Sequence, residues 1–315
     1  MTASTVAVRA ATRSPHPRRT ASHARRGYLR YLAPGLVAFT VVVLAPALAN
    51  VWLSLTEWSG VGAPAFIGLD NYATLLHDGV FWRSFAHSVA FIVSMALVPT
   101  ALGLLLAAVL FDYLAPRFGN TSVSWLRALY YLPQILPIVI VGVLWNWLLQ
   151  PTSGVVNDLL RSVGLDSWAH NWLGDASTAL PTLMAIMVWI QLGYTIVIFL
   201  SGMSRMDNSL HEAAQLDGAT WIQRFFHITV NQLRPEIAVI LVTTTVAALK
   251  VFGPVYVMTQ GGPNNATNVP SYFSYYQFFT TMHVGYGAAI ATVLAVLLTA
   301  LAVVMLRIQH AQEDQ

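Results

Sequence analysis

Six long apolar runs alternate with polar connections along this chain. A helix that crosses the roughly 30 Å apolar core of a bilayer needs about 20 apolar residues. Each run reaches that length, and the period-two alternation typical of membrane β-strands is absent. The pattern therefore predicts an all-α membrane protein with six transmembrane helices. They are Leu32–Leu53, Ser88–Phe111, Ala128–Leu149, Ala179–Leu200, Ile237–Met258 and Gly287–Leu306.

The composition agrees with a protein surrounded by membrane lipid. Hydrophobic residues make up 56% of the 315 positions and Asp, Glu, Lys and Arg only 9%, whereas soluble proteins have about 25% charged residues. The surplus of basic residues lies in the first thirty positions, and the rest of the chain is more acidic than basic. We therefore expect a disordered basic tail at residues 1–27 and no nucleic acid partner.

The distribution of Lys and Arg predicts the orientation, because these residues accumulate on the cytoplasmic side of a membrane. Thirteen of the sixteen lie in the two terminal segments and in the connections 112–127 and 201–236. The three alternate loops hold only Arg83 and Arg161. Both termini are therefore predicted to be cytoplasmic.

The polar residues form no pattern typical of an active site. The nine histidines have no metal-ligand spacing, and a P-loop glycine pattern is absent. No carboxylate lies within an apolar run, which argues against an ion-coupled secondary carrier. The loops lack the clusters of carboxylates or histidines that a membrane-embedded enzyme would need. These two classes are the alternatives to be tested, and no metal, cofactor or catalytic residue is expected.

The longest cytoplasmic connection, 201–236, carries the most informative pattern. Ser209 and Glu212 have the spacing of a capping box, which predicts that a helix starts there. Gly218 then provides a C-terminal cap or a tight bend. A second short helix from about Thr220 would present three aromatic residues, Trp221, Phe225 and Phe226. An exposed apolar patch of this kind is typical of a partner surface, and a helix lying on lipid is the alternative.

Glu212-Ala-Ala followed by Asp217-Gly-Ala resembles the EAA loop of the permeases of binding-protein-dependent ABC importers. Where the family has Leu-Pro at the end of this motif, the chain has Val230 and Asn231. The resemblance implies that the loop is a coupling helix seated in a groove of an ATPase subunit. The residues that it assigns to coupling are Ser209, Glu212, Ala213, Ala214, Asp217, Gly218, Ala219 and Phe225.

Other segments resemble the carbohydrate branch of this family, with its maltose- and glycerol-phosphate-type members. They are Phe66–Tyr72, Ala128–Pro137, Gly154–Leu160 and Phe252–Pro263. The resemblance implies a type I importer permease that translocates a sugar or oligosaccharide across the cytoplasmic membrane by alternating access. It also implies a second homologous permease, two ATPase subunits and an extracytoplasmic solute-binding protein as partners.

The same resemblance gives the domain boundaries. The permease core would run from 84 to 306, preceded by the first transmembrane helix and an outer loop at 28–83. Residues 307–315 would form a short cytoplasmic tail.

Several polar and aromatic residues within the apolar runs are candidates for the sugar path. Lys250 costs about 2.5–3.5 kcal/mol at the centre of a membrane helix and should therefore face protein or water. Five further residues could bond to hydroxyl groups or stack on a sugar ring, namely Asn146, Trp189, Gln191, Tyr194 and Tyr256. The alternative for the polar ones is hydrogen bonding between helices.

Overall fold

A computed structural model describes residues 31–313, without the side chains of 119–124, 208, 306 and 308–313. The basic tail predicted at residues 1–27 lies outside the described residues. Of the described residues, 31–49 belong to one compact unit and those from Asn50 onward to a second.

Helices account for nearly all of the regular structure between residues 31 and 313. In chain order they are α1 (Tyr31–Leu53), α2 (Asp70–His77), α3 (Gly79–Phe118), α4 (Trp125–Ile135), α5 (Ile138–Leu148), α6 (Val155–Ser162), α7 (Ala179–Met203), α8 (Asn208–Leu216), α9 (Trp221–Gln232), α10 (Arg234–Leu249), α11 (Gly253–Met258), α12 (Pro270–Tyr275) and α13 (Val284–Glu313). A short antiparallel pair, β1 (Thr56–Glu57) and β2 (Ala65–Phe66), lies between α1 and α2.

Four of these helices, α1, α3, α7 and α13, are long and apolar enough to cross a membrane. Two further pairs pass the same test but are bent, α4 with α5 by 95° and α9 with α10 by 68°. When each bent pair is taken as one span, the described chain has up to six candidate spans, the number that the sequence predicts. The bounds of the fifth differ, because α9 precedes the predicted run Ile237–Met258.

The third predicted span, Ala128–Leu149, is broken rather than continuous. Its two halves, α4 and α5, meet at Leu136 and Pro137, and Leu136 has the extended dihedral angles φ −70° and ψ 134°. A residue before proline is pushed out of the helical region by the proline ring, which explains the break. The connection 112–127 was predicted to be a polar loop. Most of it is helical instead, because the helical backbone of Ala115–Ile135 continues from the end of α3 into α4.

The fifth predicted span, Ile237–Met258, is interrupted as well. Helix α10 ends at Leu249, and α11 begins only at Gly253, with Pro254 in its first turn. Lys250 lies at this interruption and is exposed. The prediction that Lys250 lies inside a continuous membrane helix is therefore wrong, because it directly follows the last residue of α10.

A small buried cluster joins α2, α3, α12 and α13, and two larger clusters join other sets of described helices. One joins α3, α5, α7 and α11, with Phe91, Leu183 and Val255 among its fully buried members. The other joins α3 and α7 to α9 and α10 and contains Phe199 and Ile240. This second cluster is the one on which the 201–236 region rests.

Two glycines lie where neighbouring helices approach too closely to leave room for a side chain. A side chain at Gly103 would clash with Thr195 of α7, and one at Gly193 would clash with the carbonyl group of Tyr130. Small residues let membrane helices approach closely where lipid gives no hydrophobic driving force between them. Helices α3 and α4 thus both pack directly against α7.

Candidate functional site

The 201–236 region folds as a helix–glycine–helix element, residues 207–232. Its first helix, α8, is capped by Asp207, whose carboxylate accepts a hydrogen bond from the Ser209 backbone N–H at 2.9 Å. Hydrogen bonds from the side chain and backbone of Ser209 lower the pKa of Asp207 below its ordinary value. The predicted capping box of Ser209 and Glu212 is therefore wrong, because the N-cap of α8 is Asp207, two residues earlier.

Gly218 forms the bend, as the sequence predicts. Its φ is +81°, in the left-handed region that glycine adopts without steric cost. The backbone N–H of Gly218 donates to the Gln215 carbonyl at 3.1 Å, and that of Ala219 donates to the Ala214 carbonyl at 2.9 Å. This pair of bonds is the Schellman motif, which satisfies the last carbonyls of α8.

The second helix, α9, starts after Thr220, in agreement with the prediction. Here the structure has a complete capping box: the Thr220 hydroxyl oxygen accepts from the Gln223 backbone N–H at 3.4 Å, and Gln223 Oε1 accepts from the Thr220 backbone N–H at 2.8 Å. Both ends of the Gly218 turn are thus fixed by local hydrogen bonds, so that the two helices are held at a defined angle.

An aromatic anchor fixes the element to the end of α3. The indole Nε1–H of Trp221 donates to Asp112 Oδ2 at 2.8 Å, and the Trp221 ring stacks on Phe225 with centroids 5.3 Å apart. Phe225 is only 8% exposed and belongs to the second buried cluster. The prediction that Phe225 is presented at the surface is therefore wrong: it is a buried anchor, and Phe226 is the exposed aromatic residue.

The outward side of the element is apolar. Leu210, Ala213 and Leu216 recur every three residues along α8, so they share one side of the helix, and all three are exposed. Leu216 is 90% exposed, far more than a leucine in a folded domain normally is. Among the other predicted coupling residues, Ser209, Glu212, Asp217 and Gly218 are exposed, and Ala214 and Ala219 are half-buried.

Two residues predicted for the sugar path form contacts between helices. Asn146 Nδ2 of α5 donates to the Val257 carbonyl of α11 at 3.2 Å. The Tyr194 hydroxyl of α7 shares a hydrogen bond with the Thr243 hydroxyl of α10 at 3.3 Å. Both geometries fit the structural alternative that the sequence left open.

The remaining path candidates do not form one cluster. Trp189 and Gln191 are two residues apart on α7 and so point to opposite sides of the helix; Trp189 is 41% exposed and Gln191 is buried. The Trp189 ring lies edge-on to Trp145 with centroids 5.6 Å apart. Tyr256 is also exposed, and its ring stacks on that of Phe252, just before α11, with centroids 5.3 Å apart.

The family of the chain follows from residues 121–313, which match the family described as binding-protein-dependent transport system inner membrane component. The chain belongs to this family. It is thus a multi-pass inner membrane permease of an ABC importer, and not an enzyme or an ion-coupled carrier.

Relatives of known name resemble this permease over nearly its whole length. It is 37% identical over 278 residues to the probable ABC transporter permease protein YurN of Bacillus subtilis, which covers 88% of this chain and 94% of YurN. It is 27% identical over 286 residues to the probable starch degradation products transport system permease protein AmyD of Thermoanaerobacterium thermosulfurigenes, covering 91% and 94%.

Solved structures share the fold of this permease. A chain in the crystal structure of a bacterial ABC transporter involved in the import of the acidic polysaccharide alginate matches with a TM-score of 0.79 and 23% identity, covering 92% of this chain and 98% of that one. A bacterial alginate ABC transporter has also been solved in complex with a periplasmic protein bound to an alginate pentasaccharide. At this level of identity, the likeness shows the fold.

Three residues that form or hold the helix–glycine–helix element were not predicted as functional from the sequence: Asp112, Asp207 and Leu216. Asp112 directly follows a long uncharged run, so the sequence marks it as a lone carboxylate at the end of a predicted span. Asp207 lies two residues before Ser209, and because aspartate and serine are about equally favoured N-caps, cap preference alone did not distinguish them. Leu216 offered no signal, because its exposure depends on how α8 is placed on the rest of the molecule.

Proposed function

We propose that this permease moves a sugar or oligosaccharide inward across the cytoplasmic membrane by alternating access. Sugar is the substrate class because relatives such as AmyD are named for carbohydrate transport. The proposed assembly contains a second homologous permease, two ATPase subunits and an extracytoplasmic binding protein, all surrounded by membrane lipid. The permease core would extend from 84 to 306, with both termini and the tail 307–315 in the cytoplasm.

The helix–glycine–helix element carries this proposal. A permease without a nucleotide site must receive its motion from another subunit through a rigid protruding contact. The element combines a fixed bend at Gly218, an exposed apolar side around Leu216 and an anchor at Trp221 that ties it to α3 through Asp112. Motion of a bound ATPase would therefore reach α3 and the buried cluster around Phe225.

For the substrate path, we propose that the exposed candidates contact the sugar directly. Trp189 and Tyr256 offer ring faces, and Lys250 offers a charged donor where α10 is interrupted. Asn146 and Tyr194 would hold the path-forming helices together, and the buried Gln191 would support α7 from within.

Uptake by proteoliposomes that contain the complete importer tests the proposed function. Labelled maltotriose, trehalose and an alginate trisaccharide should be offered on the binding-protein side, with ATP enclosed. We expect at least one of them to accumulate only when ATP and the binding protein are both present. Accumulation driven by an ion gradient without ATP would contradict the proposal, as would the transport of none of the three.

A further inference from the structure

A cavity lies beside the loop between α11 and α12. It contains no residue of the helix–glycine–helix element and no candidate for the sugar path. The cavity has a volume of about 500 Å³, within the range of about 300–1,000 Å³ typical of small-ligand pockets. Its lining is dominated by carboxamide and phenol groups, among them those of Gln260, Asn264, Asn265, Asn268, Tyr272 and Tyr276, and the start of α3 adds one carboxylate, Asp78. It lies in the 259–286 connection, on the opposite side of the predicted topology from the 207–232 element.

The backbone around the cavity is held in a conformation that side chains rarely adopt. In the described part of the chain, four residues other than glycine have a positive φ, and three of them, Gln260, Asn264 and Asn265, line this cavity. Strained backbone of this kind persists where the surrounding structure fixes it, and it concentrates at ligand sites. Here it positions three amide groups around one space.

One buried polar atom in the lining has no hydrogen-bond partner among the described residues. Asn268 is 3% exposed, and its Oδ1 atom accepts no hydrogen bond from the described residues, while its Nδ2 donates to Asn265 Oδ1 at 3.3 Å. A buried acceptor left without a donor is costly and points to a missing partner such as a ligand or water. A hydroxyl group would supply that donor.

The chemistry of the lining favours a saccharide. Each carboxamide has both a donor and an acceptor, which suits neighbouring sugar hydroxyls that both donate and accept. Tyr276 is partly exposed, and its ring stacks against Tyr272 with centroids 6.3 Å apart. Such an aromatic surface suits the apolar C–H face of a pyranose ring, and in the absence of any lysine or arginine in the lining an anionic ligand is disfavoured.

We infer that this cavity is an outer saccharide subsite, which holds the sugar between its release from the binding protein and its entry into the membrane path. This inference rests on the proposed function, because it assumes a sugar substrate and the predicted orientation. It adds a binding site outside the apolar spans, built from Gln260, Asn264, Asn268 and Tyr276.

Glycine variants test the subsite without disturbing the loop, because glycine adopts positive φ freely. We expect Gln260→Gly and Asn264→Gly each to lower the uptake rate about fivefold, the effect of losing one hydrogen bond. Tyr276→Ala should also lower the rate, while Tyr276→Phe keeps the ring and should stay near the wild-type rate. The matched control is Met282→Gly, which removes a side chain at a positive φ of 59° outside this cavity and should change uptake by less than about twofold.

The assay is the proteoliposome uptake described above, with the same three saccharides and with subunit content measured for every variant. Wild-type rates in the Gln260→Gly/Asn264→Gly double variant would overturn the subsite and leave the proposed function intact. Loss of the partner permease or binding protein from the purified complex, with normal uptake per assembled importer, would make the cavity a protein contact and also overturn the subsite. Absence of uptake by the wild-type importer would contradict the proposed function, and the subsite with it.

Discussion

Replacing Gly218 by valine should leave the permease in the membrane and abolish saccharide uptake. Gly218 has a φ of +81°, and no atom lies within 4 Å of the position that a Cβ would take. The cost of the substitution is therefore in the backbone and not in a clash, about 1–2 kcal/mol or more for a branched side chain. Because the Schellman turn at Gly218 helps to set the angle between α8 and α9, relaxation of this strain would reorient the apolar side of α8.

The measurement is the ATPase activity of the reconstituted importer with and without loaded binding protein. Gly218→Val should retain basal activity and lose its stimulation. Gly218→Asn is the matched control, because asparagine adopts the left-handed region more readily than any branched residue. Both variants add a side chain into open space, so equal loss of stimulation in the two would show that the backbone conformation at Gly218 is not what matters.

Replacing Leu216 by aspartate should remove the ATPase subunits from the purified complex. Leu216 is the last residue of α8 and is 90% exposed, so its side chain contributes nothing to the packing of the permease itself. A buried apolar anchor at a protein interface is worth about 2 kcal/mol or more, which corresponds to at least about a thirtyfold loss of affinity. A charged group in the same place adds a desolvation cost to that loss.

Leu165→Asp is the matched control for this prediction. Leu165 is also an exposed leucine, but it lies in the predicted outer loop 150–178, where the same change should not affect ATPase retention. If the Leu216→Asp permease keeps its ATPase subunits at wild-type stoichiometry, α8 does not form the docking surface.

The sequence was sufficient for the fold class because apolar length is the main requirement of a membrane helix. It was less informative about where those helices break. Pro137 and Pro254 are visible in the sequence, but the apolar character continues across both of them, and hydropathy alone therefore joins α4 to α5 and α10 to α11. The position of Lys250 followed from that error.

Within the helix–glycine–helix element, local sequence signals predicted the bend at Gly218 but not the contacts with distant residues. The left-handed turn at Gly218 and the start of α9 depend on residues close in the sequence, and both are confirmed. The choice of Asp207 over Ser209 as the cap depends on where the helical backbone begins, because the two residue types are about equally favoured as N-caps. The burial of Phe225 and the bond from Trp221 to Asp112 join residues more than a hundred positions apart, and no local pattern contains that information.

Single cysteines test most directly whether the 207–232 element is a cytoplasmic coupling surface, because the chain has no cysteine of its own. Gln215 lies on exposed α8, and Leu159 is an exposed residue of α6 in the predicted outer loop. In intact cells, we predict that Leu159→Cys reacts with an impermeant maleimide added outside and that Gln215→Cys does not. In purified importer, Gln215→Cys should crosslink to the ATPase subunit. Labelling of Gln215→Cys from outside, with crosslinking only from Leu159→Cys, would contradict both the orientation and the coupling role.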